Sequence, residues 1–181
     1  MPTMKPSERM KIPRQAMPER HAAERAVCFQ EVNCGYLPDT AATEANRCLQ
    51  CKDAKCISGC PVGVNIPAFV EAVAANDLSA AADILLADNV LPGITGRVCP
   101  QEKQCEAVCV RAKKGTPVGV GYLERFVADW ASANTAWTPM QTAGRAPRRR
   151  RWPSVASIVW PVEMMSSTST GVRLRNVSSS G

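Results

Sequence analysis

The feature that most constrains this chain is Cys48-Leu-Gln-Cys51-Lys-Asp-Ala-Lys-Cys56-Ile-Ser-Gly-Cys60-Pro61, four cysteines within thirteen residues followed directly by proline. It reads C-x2-C-x4-C-x3-C-P, one loop-length variant away from the C-x2-C-x2-C-x3-C-P run that holds bacterial 4Fe-4S clusters. The C-x2-C step lets two thiolates converge on one metal centre. Pro61 fixes φ and removes a backbone donor where the chain leaves it.

A second group follows, Cys99-Pro-Gln-Glu-Lys-Gln-Cys105-Glu-Ala-Val-Cys109. Cys105 and Cys109 are four apart, so on a helix they share a face. Together the two groups hold seven cysteines, too many for one four-ligand cluster and one short for two. In two-cluster ferredoxins the cysteine before proline serves the other cluster. Cys60 is therefore expected to leave the first site, and the second group to return a ligand to it.

The eighth ligand is then a non-cysteine group or one of Cys28 and Cys34. Glu124 is the best-placed acid, on a helix expected near Cys109. Its neighbours Val120, Val127, Ala128 and Ala131 are apolar, and a carboxylate among them is costly to bury unless its charge is compensated. The residues alone leave this role even with that of an edge carboxylate bonding to solvent or Arg125. Cys28 and Cys34 lack a C-x2-C step and read as small buried hydrophobes. The rival reading is a structural zinc-binding interaction module without redox activity; it leaves three cysteines over and lacks a second C-x2-C.

The formal net charge of +6 prompts a nucleic-acid hypothesis, but residues 143–181 carry seven arginines against one glutamate and account for all of it. The cysteine-bearing body is neutral, and no nucleic-acid partner is expected. The N-terminus shows no apolar run of a signal peptide, and no apolar stretch reaches the eighteen or so residues of a membrane span. A cytoplasmic, reducing setting without membrane association is expected, where clustered cysteines mean metal or redox chemistry. An odd count of nine cysteines further disfavours disulfides.

The coarse pattern is all-α. Residues 1–26 read as a proline-punctuated arm with at most a short helix around 19–25, and His21 as a solvated side chain. Asp39 or Thr40 caps a helix over 41–49 that delivers Cys48 at its end. Asn65 opens another over 65–75, with Pro67 in the first turn and Ile66, Phe69, Val70 and Val73 on one face. A third runs from Asp77 or Ser79 to about 87, and 89–96 is a turn-rich connection. The last, over 118–132, shows Leu123, Phe126, Val127 and Trp130 on one face. This divides the chain into an arm (1–26), a cluster domain (27–135) and a basic, Ser/Thr-rich tail (136–181) expected to be disordered or aberrant. Gly119-Val-Gly121 has Glu124 where a dinucleotide loop needs its third glycine, and no catalytic constellation is present.

Lys11-Ile-Pro-Arg-Gln-Ala-Met-Pro18, Arg47-Cys-Leu-Gln-Cys51, Gly59-Cys-Pro61, Thr95-Gly-Arg-Val-Cys-Pro100 with Cys105 and Cys109, and Leu123-Glu-Arg-Phe-Val127 together resemble one known module. It is the N-terminal iron-sulfur domain of the NADPH-dependent glutamate synthase small (beta) subunit, found also in dihydropyrimidine dehydrogenase and the NADH-dependent ferredoxin:NADP oxidoreductase large subunit. The likeness spans residue 10 to about 133. It implies an alpha-helical ferredoxin-like domain with two 4Fe-4S clusters, one on Cys48, Cys51, Cys56 and Cys109, the other on Cys60, Cys99, Cys105 and Glu124. It further implies electron transfer between a flavin and another redox centre. FAD and NADPH are expected only in a partner, such as a flavoprotein domain or a glutamate synthase large-subunit-like protein, or in a missing C-terminal region. Where such proteins continue into a strand and a GxGxxG loop, this chain turns arginine-rich, and a truncated or out-of-frame C-terminus is expected.

Overall fold

Prolines at or beside the first helical position and apolar residues at three- and four-residue intervals shape most of this chain. The computed structural model describes residues 4–134; the expectations for the tail lie outside the described residues. The helices are α1 (Pro6–Arg9), α2 (Ala22–Arg25), α3 (Pro38–Ala45), α4 (Lys55–Ser58), α5 (Ile66–Ala74), α6 (Leu78–Asp88), α7 (Pro92–Val98) and α8 (Val120–Asn134). Short 3-10 turns cover Gln101–Lys103 and Val110–Lys113. Among the described residues there is no strand, only an isolated antiparallel bridge between Glu19 and Asn33.

The core lies between α3, α5, α6 and α8, where Phe69, Val70, Val73, Leu85, Leu123 and Val127 are fully buried. These are the faces that the sequence periodicity indicates for α5 and α8, and Leu85 adds the buried face of α6. Asp77 caps α6 by accepting from the Ala80 N–H at 3.0 Å. No single helix among the described residues is long and apolar enough to cross a membrane.

Three local expectations need correction. α3 begins with Pro38 and ends at Ala45, so Cys48 lies in the turn beyond it, its N–H on Ala45 O at 3.0 Å. Proline's fixed φ starts the helix ahead of Asp39 and Thr40. Cys105 and Cys109 sit in turns between the two 3-10 segments rather than on a helix. The supposed turn-rich connection contains α7, which Pro92, Gly93 and Gly96 hide from any propensity argument.

Packing on α8 explains why α7 forms. A Cβ on Gly96 would stand 2.7 Å from the Arg125 backbone nitrogen and 2.9 Å from its Cα. The two helices meet backbone to backbone there. Gly96→Ala gains about 1 kcal/mol of helix propensity but forces α7 off α8, an overpacking cost of about 1–3 kcal/mol. We expect net destabilisation, read as a lower urea midpoint; an unchanged or higher midpoint would refute the close approach.

The N-terminal arm is tied to this body by arginines. Arg111 donates to the carbonyls of Arg9, Met10 and Ile12 at 2.7, 3.1 and 2.6 Å. The Gln15 N–H donates to Glu44 Oε2 at 2.8 Å, and Tyr36 Oη to Gln15 O at 2.7 Å. Arg47 and Glu44, both fully buried, pair with each other beneath the arm.

Candidate metal centre

Two stretches with little regular structure, 46–65 and 99–119, carry the seven motif cysteines. Neither has an apolar face long enough to fix itself, so each is held by side-chain bonds. Gln50, inside the C-x2-C step, takes left-handed backbone at φ 50° and donates through Nε2 to Pro67 O at 3.1 Å. That turn curls Cys48 and Cys51 towards each other. Arg9 donates to Cys48 O at 2.7 Å.

Gly59 determines where Cys60 goes. A Cβ there would lie 2.5 Å from Val108 Cγ2, 3.1 Å from Gln104 O and 3.4 Å from Cys105 Cα. The backbone before Cys60 therefore rests on the 104–108 turn. Cys60 arrives beside Cys105 although three of the four cysteines of its own motif lie behind it.

The electrostatics follow the same division. Burial pushes the Cys48 thiol up to about 11, with Cys109 and Cys51 acting the same way. Burial, then Cys48, Cys109 and Cys51, push Cys56 up to about 12. Cys51 is raised by burial and then by Cys109. On the other side, Cys99 is raised by burial and then by Glu124 and Cys60. Burial pushes Cys105 up to about 12, with Glu106, Cys60 and Glu124 adding to it. Cys48 and Cys51 thus feel Cys109, and Cys56 feels Cys48, Cys51 and Cys109, whereas Cys99 and Cys105 feel Cys60 and Glu124, with Asp53, Glu102 and Glu106 also acting on Cys51, Cys99 and Cys105.

Glu124 is not a free edge carboxylate. Its Oε1 accepts from Asn89 Nδ2 at 2.7 Å and from the Thr95 hydroxyl. Burial raises it above the usual carboxylate range, with those two bonds opposing. Arg125 turns instead to Asn33 O at 2.8 Å and to Glu31 and Asp129.

The donor chemistry, thiols with one carboxylate in fours, fits 4Fe-4S ligation, in which each iron takes one protein donor. A zinc ion needs its four donors around one point, with sulfur about 2.3 Å away. Among the described residues no three of His, Cys, Asp and Glu are grouped to hold a single metal ion. What disfavours the zinc reading is the cysteine pattern, with no second C-x2-C and three cysteines left over.

The remaining candidates lie elsewhere. His21 is exposed and accepts from the Ala23 N–H at the start of α2. The buried-hydrophobe reading fails for Cys34, which is exposed, and holds only in part for the half-buried Cys28. This segment is joined to the arm by the bridge between Glu19 and Asn33 and to α8 by Arg125. Sequence reasoning gave no role to Asn89 or Thr95; their only signal is two polar residues bracketing a Pro-Gly stretch just before Cys99.

A family model described as dihydropyrimidine dehydrogenase domain II, 4Fe-4S cluster, matches residues 25–136. The chain is similar to the glutamate synthase [NADPH] small chain of Azospirillum brasilense, 36% identical over 147 residues, covering 80% of this chain and 29% of that one. It is 35% identical over 128 residues to the same-named protein of Halomonas elongata, covering 71% and 27%. With the NAD-dependent dihydropyrimidine dehydrogenase subunit PreT of Escherichia coli (strain K12) it shares 38% identity over 102 residues, covering 56% and 25%. The chain thus spans less than a third of the length of these curated relatives.

Proposed function

Because this chain belongs to the family of dihydropyrimidine dehydrogenase domain II, the 4Fe-4S cluster domain, we propose that it is an electron-relay module of alpha-helical ferredoxin-like fold holding two such clusters. Cys48, Cys51, Cys56 and Cys109 would hold one; Cys60, Cys99, Cys105 and Glu124 the other. The observation that supports this reading is the separation of the electrostatic neighbours, Cys109 with Cys48, Cys51 and Cys56, but Cys60 and Glu124 with Cys99 and Cys105, together with the Gly59 contact that sets Cys60 beside Cys105.

When bound, the clusters supply reversible one-electron chemistry. The chain's own residues bury the sulfurs, exclude water and set the local charge. Arg9 lies within electrostatic reach of Cys48, while Glu102 and Glu106 act on Cys99 and Cys105. A carboxylate ligand would make the Glu124 site electronically distinct from the all-thiolate one. The relatives are named as a small chain using NADPH and as an NAD-dependent subunit, which supports a setting with a nicotinamide cofactor and a partner chain; we infer that electrons pass between a flavin outside the described residues and a second redox centre. A glutamate synthase large-subunit-like protein fits that role, with FAD and NADPH outside the described residues.

Anaerobic reconstitution tests the reading. About eight irons and eight sulfides per chain and two distinct EPR signals on reduction are expected. Cys51→Ala and Cys99→Ala should each remove about half of the iron and a different signal. Colourless protein carrying zinc, or loss of the same signal from both variants, would overturn it.

A further inference from the structure

Glu124 projects from the first turns of α8, and two groups from other elements converge on one of its oxygens. Asn89, 5% exposed, stands just past the end of α6, where its N–H bonds to Leu85 O at 2.9 Å. Its Oδ1 accepts from the Leu91 N–H at 3.0 Å, which fixes the amide orientation. The flipped amide would set N–H against N–H and oxygen against carboxylate. Its Nδ2 therefore donates both to Thr95 Oγ1 and to Glu124 Oε1, each at 2.7 Å.

Thr95, on α7, accepts that bond, and its single hydroxyl proton has two acceptors in reach, Leu91 O at 3.0 Å and the same Glu124 oxygen, of which the carboxylate is the nearer and the stronger. No hydrogen bond among the described residues falls on Oε2. The carboxylate is thus held by one oxygen and left with the other.

We propose that Asn89 and Thr95 are positioning residues that hold Glu124 Oε1, so that Oε2 alone is offered to one iron of the cluster whose other irons Cys60, Cys99 and Cys105 would hold. This rests on the reading of Glu124 as a ligand given above. A carboxylate has two equivalent oxygens and a rotatable side chain, whereas a thiolate has one donor atom. Replacing the eighth cysteine by glutamate therefore requires that the surplus oxygen be occupied and the rotation stopped. Ligands to a metal are oriented and tuned by such outer partners.

The test uses the full chain, reconstituted anaerobically, with iron content, EPR and a redox titration read together. Glu124→Ala is expected to lose about four of about eight irons, or to change one signal alone. Thr95→Val, which keeps the side-chain shape and removes the hydroxyl proton, is expected to shift the signal and midpoint potential of that same site or to lose its iron, leaving the other site unchanged. Thr95→Ser should restore the unaltered spectrum, and Asn89→Ala should move the same signal as Thr95→Val.

If Glu124→Ala keeps full iron and both signals, Glu124 is no ligand and the proposal falls with that reading. If Glu124→Ala loses its site while Thr95→Val and Asn89→Ala only lower the melting temperature, or shift both sites alike, the trio merely ties α6, α7 and α8 together. The ligand reading then stands and the positioning role is refuted.

Discussion

Arg47→Ala is expected to leave most of the chain unfolded or stripped of iron, the largest effect of any single substitution considered. Arg47 is fully buried and spends its whole guanidinium. Nε donates to Ile12 O at 3.2 Å, Nη1 to Pro117 O at 2.8 Å and to Glu44, and Nη2 to Thr116 O and Oγ1 at 2.9 and 2.7 Å. One side chain thus joins the arm, α3 and the segment leading into α8, one residue before Cys48. Truncation leaves the Glu44 carboxylate buried without its cation, and breaking such a pair costs about 3–5 kcal/mol. Native domains hold only about 5–15 kcal/mol in total. The Gly119 and Gln15 N–H groups still reach Glu44, at 2.7 and 2.8 Å, which places the cost towards the lower end. Arg97→Ala is the control, since its pairs with Glu31 and Asp129 are half-exposed and worth about 0–1 kcal/mol. Urea midpoints and iron content decide the matter. Equal losses from the two variants would remove Arg47 from its central role.

Removal of iron should have the second largest effect, and a local one. The helices α5, α6 and α8 share an apolar core, to which residues 46–65 and 99–119 add Val64, Cys105 and Val118 and four partly buried cysteines that iron ligation would hold in place. Chelation under reducing conditions is expected to abolish amide protection in those two stretches while much of the helical ellipticity survives. The thiols add a pH dependence with a definite sign. Folded without iron, Cys48, Cys56 and Cys105 titrate near 11, 12 and 12 against an ordinary 9.0. They are protonated at neutral pH, so loading must release protons, and metal affinity falls as pH falls. In the iron-free chain the stability associated with these raised values is full below pH 9.0 and is lost as pH rises through 11 to 12. A pH-stat during reconstitution and an alkaline melt of the iron-free chain measure both. Loading without proton release, or unchanged protection after chelation, would contradict this account.

What could be read from the sequence is what depends on neighbours along the chain. Cysteine spacing marked the ligand-bearing loops, and three- and four-residue periodicity marked α5 and α8 with their buried faces. Each of these depends on a few consecutive residues and on geometry that every chain shares. The hidden features join residues far apart. α7 exists in spite of Pro92, Gly93 and Gly96 because the absence of side chain at Gly96 lets it rest on α8. That Cys60 leaves its own motif was legible from the proline after it; the contact that sets it beside Cys105, Gly59 against Val108 and Gln104, was not. Glu124, balanced between two roles on sequence grounds, finds Asn89 and Thr95 at its Oε1 only once three helices have packed. Spacing records which donors a chain possesses, whereas which of them become neighbours depends on distances that packing alone determines.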